Sequence, residues 1–262
     1  MMSGPVTVHG SRAAIRHIFG LLIPAQPIAF VPEGLTLFPP AAVDQEAAAK
    51  SVAECPLPIR PGGRAPAVWP DPPAALIAGI YRRSIAHAPS PAGLIEIIQC
   101  AGEAFGPGDH PTTRMCLSLL RRLPLGPTID VGCGSGLLAL ARARIAGGPV
   151  VAIDADPEAV RQTAASALAC GLANQVEVRT GRASTLTPDQ LAGRVVLANI
   201  PARAHEELQS RMSAPPRALL VSGLTTSDAR PILDGYRAFG MTRTAASRRG
   251  RWECHLLVAV AR

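Results

Sequence analysis

Two carboxylates flank a glycine loop in the middle of the chain. The first, Asp130, opens the run Asp130-Val-Gly132-Cys-Gly134-Ser-Gly136, and the second, Asp154, follows 24 residues later. Glycines at alternate positions let a backbone approach a ligand that would collide with any Cβ. A tight strand-to-helix turn alone needs one such glycine or two, so three in alternation speak for a bound molecule. A dinucleotide fingerprint would need glycine at 137, where the chain has Leu137. A Walker loop would need Gly-Lys-Ser/Thr, which is absent. What remains is the D-x-G-x-G-x-G pattern used for S-adenosylmethionine, a ligand with no phosphate to cradle. Asp154 ends the apolar run VVAID, where a carboxylate can accept both ribose hydroxyls. Capping of the helix opened by Pro157 falls more naturally to Asp156.

These residues need a scaffold, and from residue 94 the chain supplies its rhythm. LIEIIQC (94–100), TIDV (128–131), VVAID (150–154), QVEVR (175–179), RVVLAN (194–199) and ALLVSG (218–223) read as strands. Helical stretches separate most of them, with Pro111 and Pro157 each suited to a first helical turn. From Met241 the pattern is two strands around the basic turn SRRGR. Short apolar strands alternating with helices predict right-handed βαβ units. The fold class is therefore α/β, Rossmann-like, with a mostly parallel seven-stranded sheet. In such a sheet ligands bind beyond the carboxyl ends of the strands, where the glycine loop falls.

Before residue 94 the pattern is weaker. Ile28–Leu37 reads as a strand and Asp44–Ala53 as a short helix, and the two do not assemble into a recognisable fold. Residues 55–73 hold seven prolines in nineteen positions, which excludes a regular helix or a central strand and marks a linker or surface loop. The expected division is an N-terminal region, 1–93, with a part in substrate recognition, and a cofactor-binding domain, 94–262.

Composition narrows the function classes. With 48% hydrophobic residues, 262 residues can bury a real core. Aromatic residues make up only 3%, which argues against a surface that stacks unpaired bases. The net charge of +7 allows an acidic partner and a weak RNA contact. Lys50 is the only lysine among 26 basic residues, however, which looks like coding preference rather than a built surface. Six scattered cysteines form no Cys-x-x-Cys pair, so neither zinc nor another metal is expected. The longest apolar stretch, Phe19–Phe30, is broken by Pro24 and Pro27 and is too short to span a bilayer. A cytoplasmic protein with reduced thiols is expected.

Four segments resemble one family in order and spacing: Phe105-Gly-Pro-Gly-Asp-His110-Pro-Thr-Thr113, DVGCGSG, IDADP (153–157) and Asn199-Ile-Pro-Ala202. They are similar to the PrmA-type methyltransferases, which modify amino groups of a ribosomal protein in the stalk of the large subunit. The resemblance runs from about residue 95 to the end. It implies S-adenosylmethionine as cofactor, with Thr113, Gly132, Asp154 and Asn199 as its contacts. Asp130, Gly134 and Gly136 complete the expected cofactor set. Asn199, with the Ile200 carbonyl, could aim an attacking nitrogen at the methyl group. The competing duty for Asn199 is capping the helix after Pro201, and for Thr113 bonding to its own helix. His110 is a candidate general base or an ordering residue in a lid loop. Pro107 and Asp109 stand where the family usually has small hydroxyl residues, and residues 1–90 do not visibly match its substrate-recruiting domain. The acceptor therefore stays open between a ribosomal or similar protein and a peptide or small metabolite. A non-catalytic protein that only binds the cofactor or RNA is the alternative class.

Overall fold

The structure is a computed structural model. It describes residues 74–84, 87–100, 102 and 104–260, with the backbone of four earlier strands: β1 (Val6–Gly10), β2 (Ile28–Val31), β3 (Gly34–Leu37) and β4 (Ile59–Pro61). These four form an antiparallel sheet in the order β2-β3-β1-β4. The single strand expected over Ile28–Leu37 is therefore two, paired with Val31 opposite Gly34. Pro32, between the two, is a residue type that interrupts a strand. The helix expected at Asp44–Ala53 lies outside the described residues.

A second, small sheet joins β5 (Ala75–Ile77), β6 (Ile80–Arg83) and β7 (Ile95–Ile98). Strands β5 and β6 form a hairpin around Ala78-Gly79, with φ of 51° and 80°, the left-handed values a two-residue hairpin turn needs. Strand β7 lies parallel to β6, and Arg83 grips Glu96 across the pair through two hydrogen bonds of 2.8 and 3.0 Å. The strand expected at 94–100 thus exists, but it belongs to this small sheet rather than the large one. An apolar run shows that a strand exists and not which neighbour it finds. Residues 93 and 94 fall between the paired strands β6 and β7.

The large sheet holds β8 (Thr128–Val131), β9 (Val150–Asp154), β10 (Val176–Thr180), β11 (Val195–Asn199), β12 (Ala218–Thr225), β13 (Met241–Arg249) and β14 (Trp252–Ala259). Its order is β10-β9-β8-β11-β12-β14-β13. The first five of these are parallel, and the last two form the terminal antiparallel hairpin. Chain order reverses between β8 and β11, the switch point at which such sheets open a crevice. Helices α1 (Pro111–Leu119), α2 (Leu137–Ala146) and α3 (Pro157–Ala169) cover one face. The short α4 (Pro188–Leu191), α5 (Ala202–Ser210) and α6 (Thr226–Ala238) lie on the other. Because both faces are covered, the central strands read as apolar runs without alternation; every residue of β8 is buried.

Candidate functional site

The carboxyl ends of β8, β9, β10 and β11 surround a cavity of about 410 Å³. Gly132, Asp154 and Ile200 line it, together with Gly181, Arg182, Ala183, Pro201 and Arg203. The glycine loop leaves β8 with left-handed φ at all three glycines: 71° at Gly132, 53° at Gly134 and 79° at Gly136. Their Cβ directions point at protein. A side chain at Gly132 would come within 2.5 Å of Ile200 Cγ2, at Gly134 within 2.2 Å of the Phe105 carbonyl, and at Gly136 within 2.6 Å of Thr163. The expectation that three alternating glycines speak for a bound molecule is thereby weakened, because the folded chain itself forbids a Cβ at each. Of the three, Gly132 lines the cavity.

Asp154 closes over this loop. Its Oδ2 accepts from the Gly134 N–H at 2.8 Å and its Oδ1 from the Asp156 N–H at 2.9 Å. Asp156 caps α3, accepting from the Glu158 N–H at 2.9 Å, as the sequence suggested. Asp130 sits beneath, 1% exposed, and neither of its oxygens closes a hydrogen bond of standard geometry among the described residues. Burial, and then the charge of Asp154, push its carboxyl up to about 7, and the backbone of Ala139 offsets part of that.

Two more buried acceptors lack partners. Thr113 in α1 is 1% exposed, and its Oγ1 bonds to nothing described, so it does not spend its hydroxyl on its own helix. Asn199 ends β11 with its Oδ1 likewise unpartnered. It does not cap α5, whose N-cap is Pro201 without a side-chain bond. Polar atoms left unpaired in an interior cost roughly 1–3 kcal/mol each; Asp130 and Asn199 directly precede Val131 and Ile200, which line the cavity.

His110 has a defined structural duty. It is the N-cap of α1, with Nδ1 2.7 Å from Thr112 Oγ1, and its ring stands between Phe105 and Trp252 at centroid distances of 5.2 and 4.9 Å. The Arg251 guanidinium lies 5.0 Å above the Trp252 ring. Burial, then the Arg251 charge, hold the imidazole below its ordinary pKa, so it is neutral near pH 7.

Several contributors were not read from the sequence. Gly181, Arg182 and Ala183 follow β10, and the rule that ligands lie beyond strand carboxyl ends could have pointed to them. Gly223, with φ of 83°, packs against Ile200 so closely that a Cβ would lie 2.4 Å from its carbonyl oxygen. Beneath that segment, His205 is fully buried and joins the Tyr236 hydroxyl and the Ser222 carbonyl, both at 2.9 Å. The same Ser222 carbonyl accepts from the Ile200 N–H at 3.1 Å. Burial lowers His205 to about 4, so a neutral ring ties α5, α6 and β12 under the Asn199-Ile200 corner. Cys133 is buried against Thr163 with no free face, consistent with packing.

A profile of the family described as ribosomal protein L11 methyltransferase (PrmA) matches residues 84–259. The chain belongs to this family. The ribosomal protein L11 methyltransferase of Geobacter metallireducens is 37% identical over 163 residues, 60% of this chain and 52% of that protein. Its counterpart in Citrifermentans bemidjiense is 43% identical over 139 residues, 48% of this chain and 44% of the relative. The chain thus spans about half the length of the curated relatives it matches. Among solved structures, a ribosomal protein L11 methylase from Lactobacillus delbrueckii subsp. bulgaricus superposes with a TM-score of 0.55 at 20% identity. That match covers 69% of this chain and 95% of the other and shows a shared methyltransferase fold.

Proposed function

We propose that this chain transfers a methyl group from S-adenosylmethionine to an amino group of a protein, with a ribosomal protein as the acceptor class its relatives favour. The observation that supports the cofactor reading is a cavity edged by Gly132 and Asp154, with the buried, unpartnered carboxylate of Asp130 directly before the cavity-lining Val131, and the unpartnered Thr113 hydroxyl nearby on α1 beside Gly106. In this reading Asp154 takes the ribose hydroxyls, the Gly132 backbone lies along the ligand, and Asp130 and Thr113 face its amino-acid end. Gly134 and Gly136 hold the loop in the shape that allows this.

The cofactor supplies a methyl group already activated by its sulfonium, so the protein chiefly aligns and desolvates. Alignment of this kind is worth about 7–11 kcal/mol. Asn199 Oδ1 and the Ile200 carbonyl accept from the attacking nitrogen and orient its lone pair. His205 and Gly223 keep that corner in place. His110 acts as an anchor for the loop over the cofactor rather than as the base. Residues 94–262 carry the transfer chemistry, and residues 1–93 recruit the acceptor.

The test is to incubate the protein with labelled S-adenosylmethionine and cell extract separated into ribosomes, soluble protein and metabolites. Label on a ribosomal protein supports the reading, and label in the metabolite fraction replaces the acceptor. Absence of binding heat with the cofactor or its demethylated product would overturn the cofactor assignment.

A further inference from the structure

Residues 105–110 bridge the small sheet and the glycine loop, and nearly every position is held. On one side the Phe105 carbonyl accepts from the Ser135 N–H and the Gly106 carbonyl from the Ser135 hydroxyl, both at 2.9 Å. On the other side lies the β5–β6 hairpin. Arg82, on β6 and 0% exposed, donates Nη1 to the Pro107 carbonyl and brings Nη2 within 3.7 Å of Asp109 Oδ1. Gly108 sits so close to the hairpin that a Cβ would lie 2.4 Å from Ile77 Cδ1. His110 then caps the helix that carries Thr113.

We propose that Arg82 is a positioning residue whose buried guanidinium fixes the 105–110 loop, so that the small sheet sets cofactor affinity through the placement of His110 and Thr113. This rests on the cofactor reading above. A buried guanidinium has no water to fall back on, so it stays where acceptors meet it. The Asp109 side chain is 66% exposed, so the ion pair itself contributes little, and the carbonyl of Pro107 is the stronger hold.

The test uses Arg82→Met, Arg82→Lys and Asp109→Asn in a Trp69→Phe background, which leaves Trp252 as the single tryptophan, excited at about 295 nm so that the tyrosines stay silent, its ring 4.9 Å from His110. Calorimetry with S-adenosylmethionine, the emission of the ligand-free protein and steady-state kinetics are read together. Arg82→Met is expected to weaken cofactor binding and raise the cofactor KM about tenfold or more, the scale of one charge-assisted hydrogen bond, with a smaller fall in kcat. Its Trp252 emission should shift as the His110 contact loosens. Arg82→Lys should recover part of both effects, and Asp109→Asn should cost about threefold or less. Arg82→Met that folds cooperatively, binds like wild type and keeps the Trp252 spectrum would overturn the proposal. So would a loss confined to kcat. If Arg82→Met does not fold, the graded order of Arg82→Lys and Asp109→Asn decides, and wild-type behaviour in Arg82→Lys rejects the proposal. Failure of the wild-type protein to bind the cofactor would sink the cofactor reading instead.

Discussion

Alanine at Gly134 isolates the close packing of the glycine loop from its backbone conformation. Both Gly134 and Gly147 have left-handed φ, 53° and 65°, but only Gly134 has a neighbour in the way: its Cβ would lie 2.2 Å from the Phe105 carbonyl oxygen, whereas Gly147 has nothing within 4 Å. The left-handed conformation costs an alanine about 1–2 kcal/mol, less roughly 0.5 kcal/mol for the stiffer unfolded chain, so Gly147→Ala should lose about 1 kcal/mol. Gly134→Ala adds overpacking of about 1–3 kcal/mol against backbone that cannot rotate away. It also loosens the hydrogen bond from the Ser135 N–H to Phe105, worth about 1 kcal/mol. The sum is about 4 kcal/mol, a fall in Tm of roughly 8–16 °C against roughly 2–4 °C for the control. Urea unfolding followed by far-ultraviolet circular dichroism, with no ligand present, measures both. Equal losses in the two variants would refute the claim that the loop is packed against residue 105, and would return the glycines to a role in ligand approach alone.

Other consequences follow from the site. Asp130 holds a proton in the folded chain between the ordinary carboxylate range and about 7, a proton the unfolded chain releases. Its contribution to stability is therefore complete below an unfolded pKa of about 3.9 and declines as the pH climbs to about 7. Asp130→Asn should flatten the pH dependence of unfolding free energy between about pH 4 and pH 7, and a slope matching wild type there would exonerate Asp130. Asp154→Ala should abolish calorimetric binding of S-adenosylmethionine and cost about 1–3 kcal/mol of stability, because the Gly134 and Asp156 amides lose their acceptor. Near-normal affinity would contradict the assignment. Asn199→Ala should leave binding largely intact and cut turnover at least about a hundredfold, and unchanged kinetics would remove Asn199 from the site.

The parallel strands were legible because a strand buried on both faces must be apolar along its whole length, and VVAID coincides with β9 (Val150–Asp154). Proline at the start of α1 and α3 and Asp156 as a cap were local signals and needed no tertiary knowledge. Pairing was not legible. Ile95–Ile98 has the composition of a central strand, and only its parallel contact with β6 shows that it belongs elsewhere. The candidate site followed the same division. Asp154 and Asn199 announce themselves as the last residues of their strands and Asp130 by the glycine motif it opens, whereas Arg82, His205 and Gly223 matter through neighbours far away in sequence. The purpose of the glycines was misread for the same reason, since residue 105 lies 29 positions from Gly134 and nothing local reveals that they touch.

The cavity wall is drawn from the ends of four adjacent strands, so a small molecule seated there ties the middle of the sheet together from outside. By mass action, a ligand that binds only the folded form at a hundred times its Kd adds about 2.7 kcal/mol to the free energy of unfolding. Resistance to proteolysis would then follow the supply of that molecule: plentiful, it shields the chain; depleted, the same polypeptide is cleaved sooner, before any change in its synthesis.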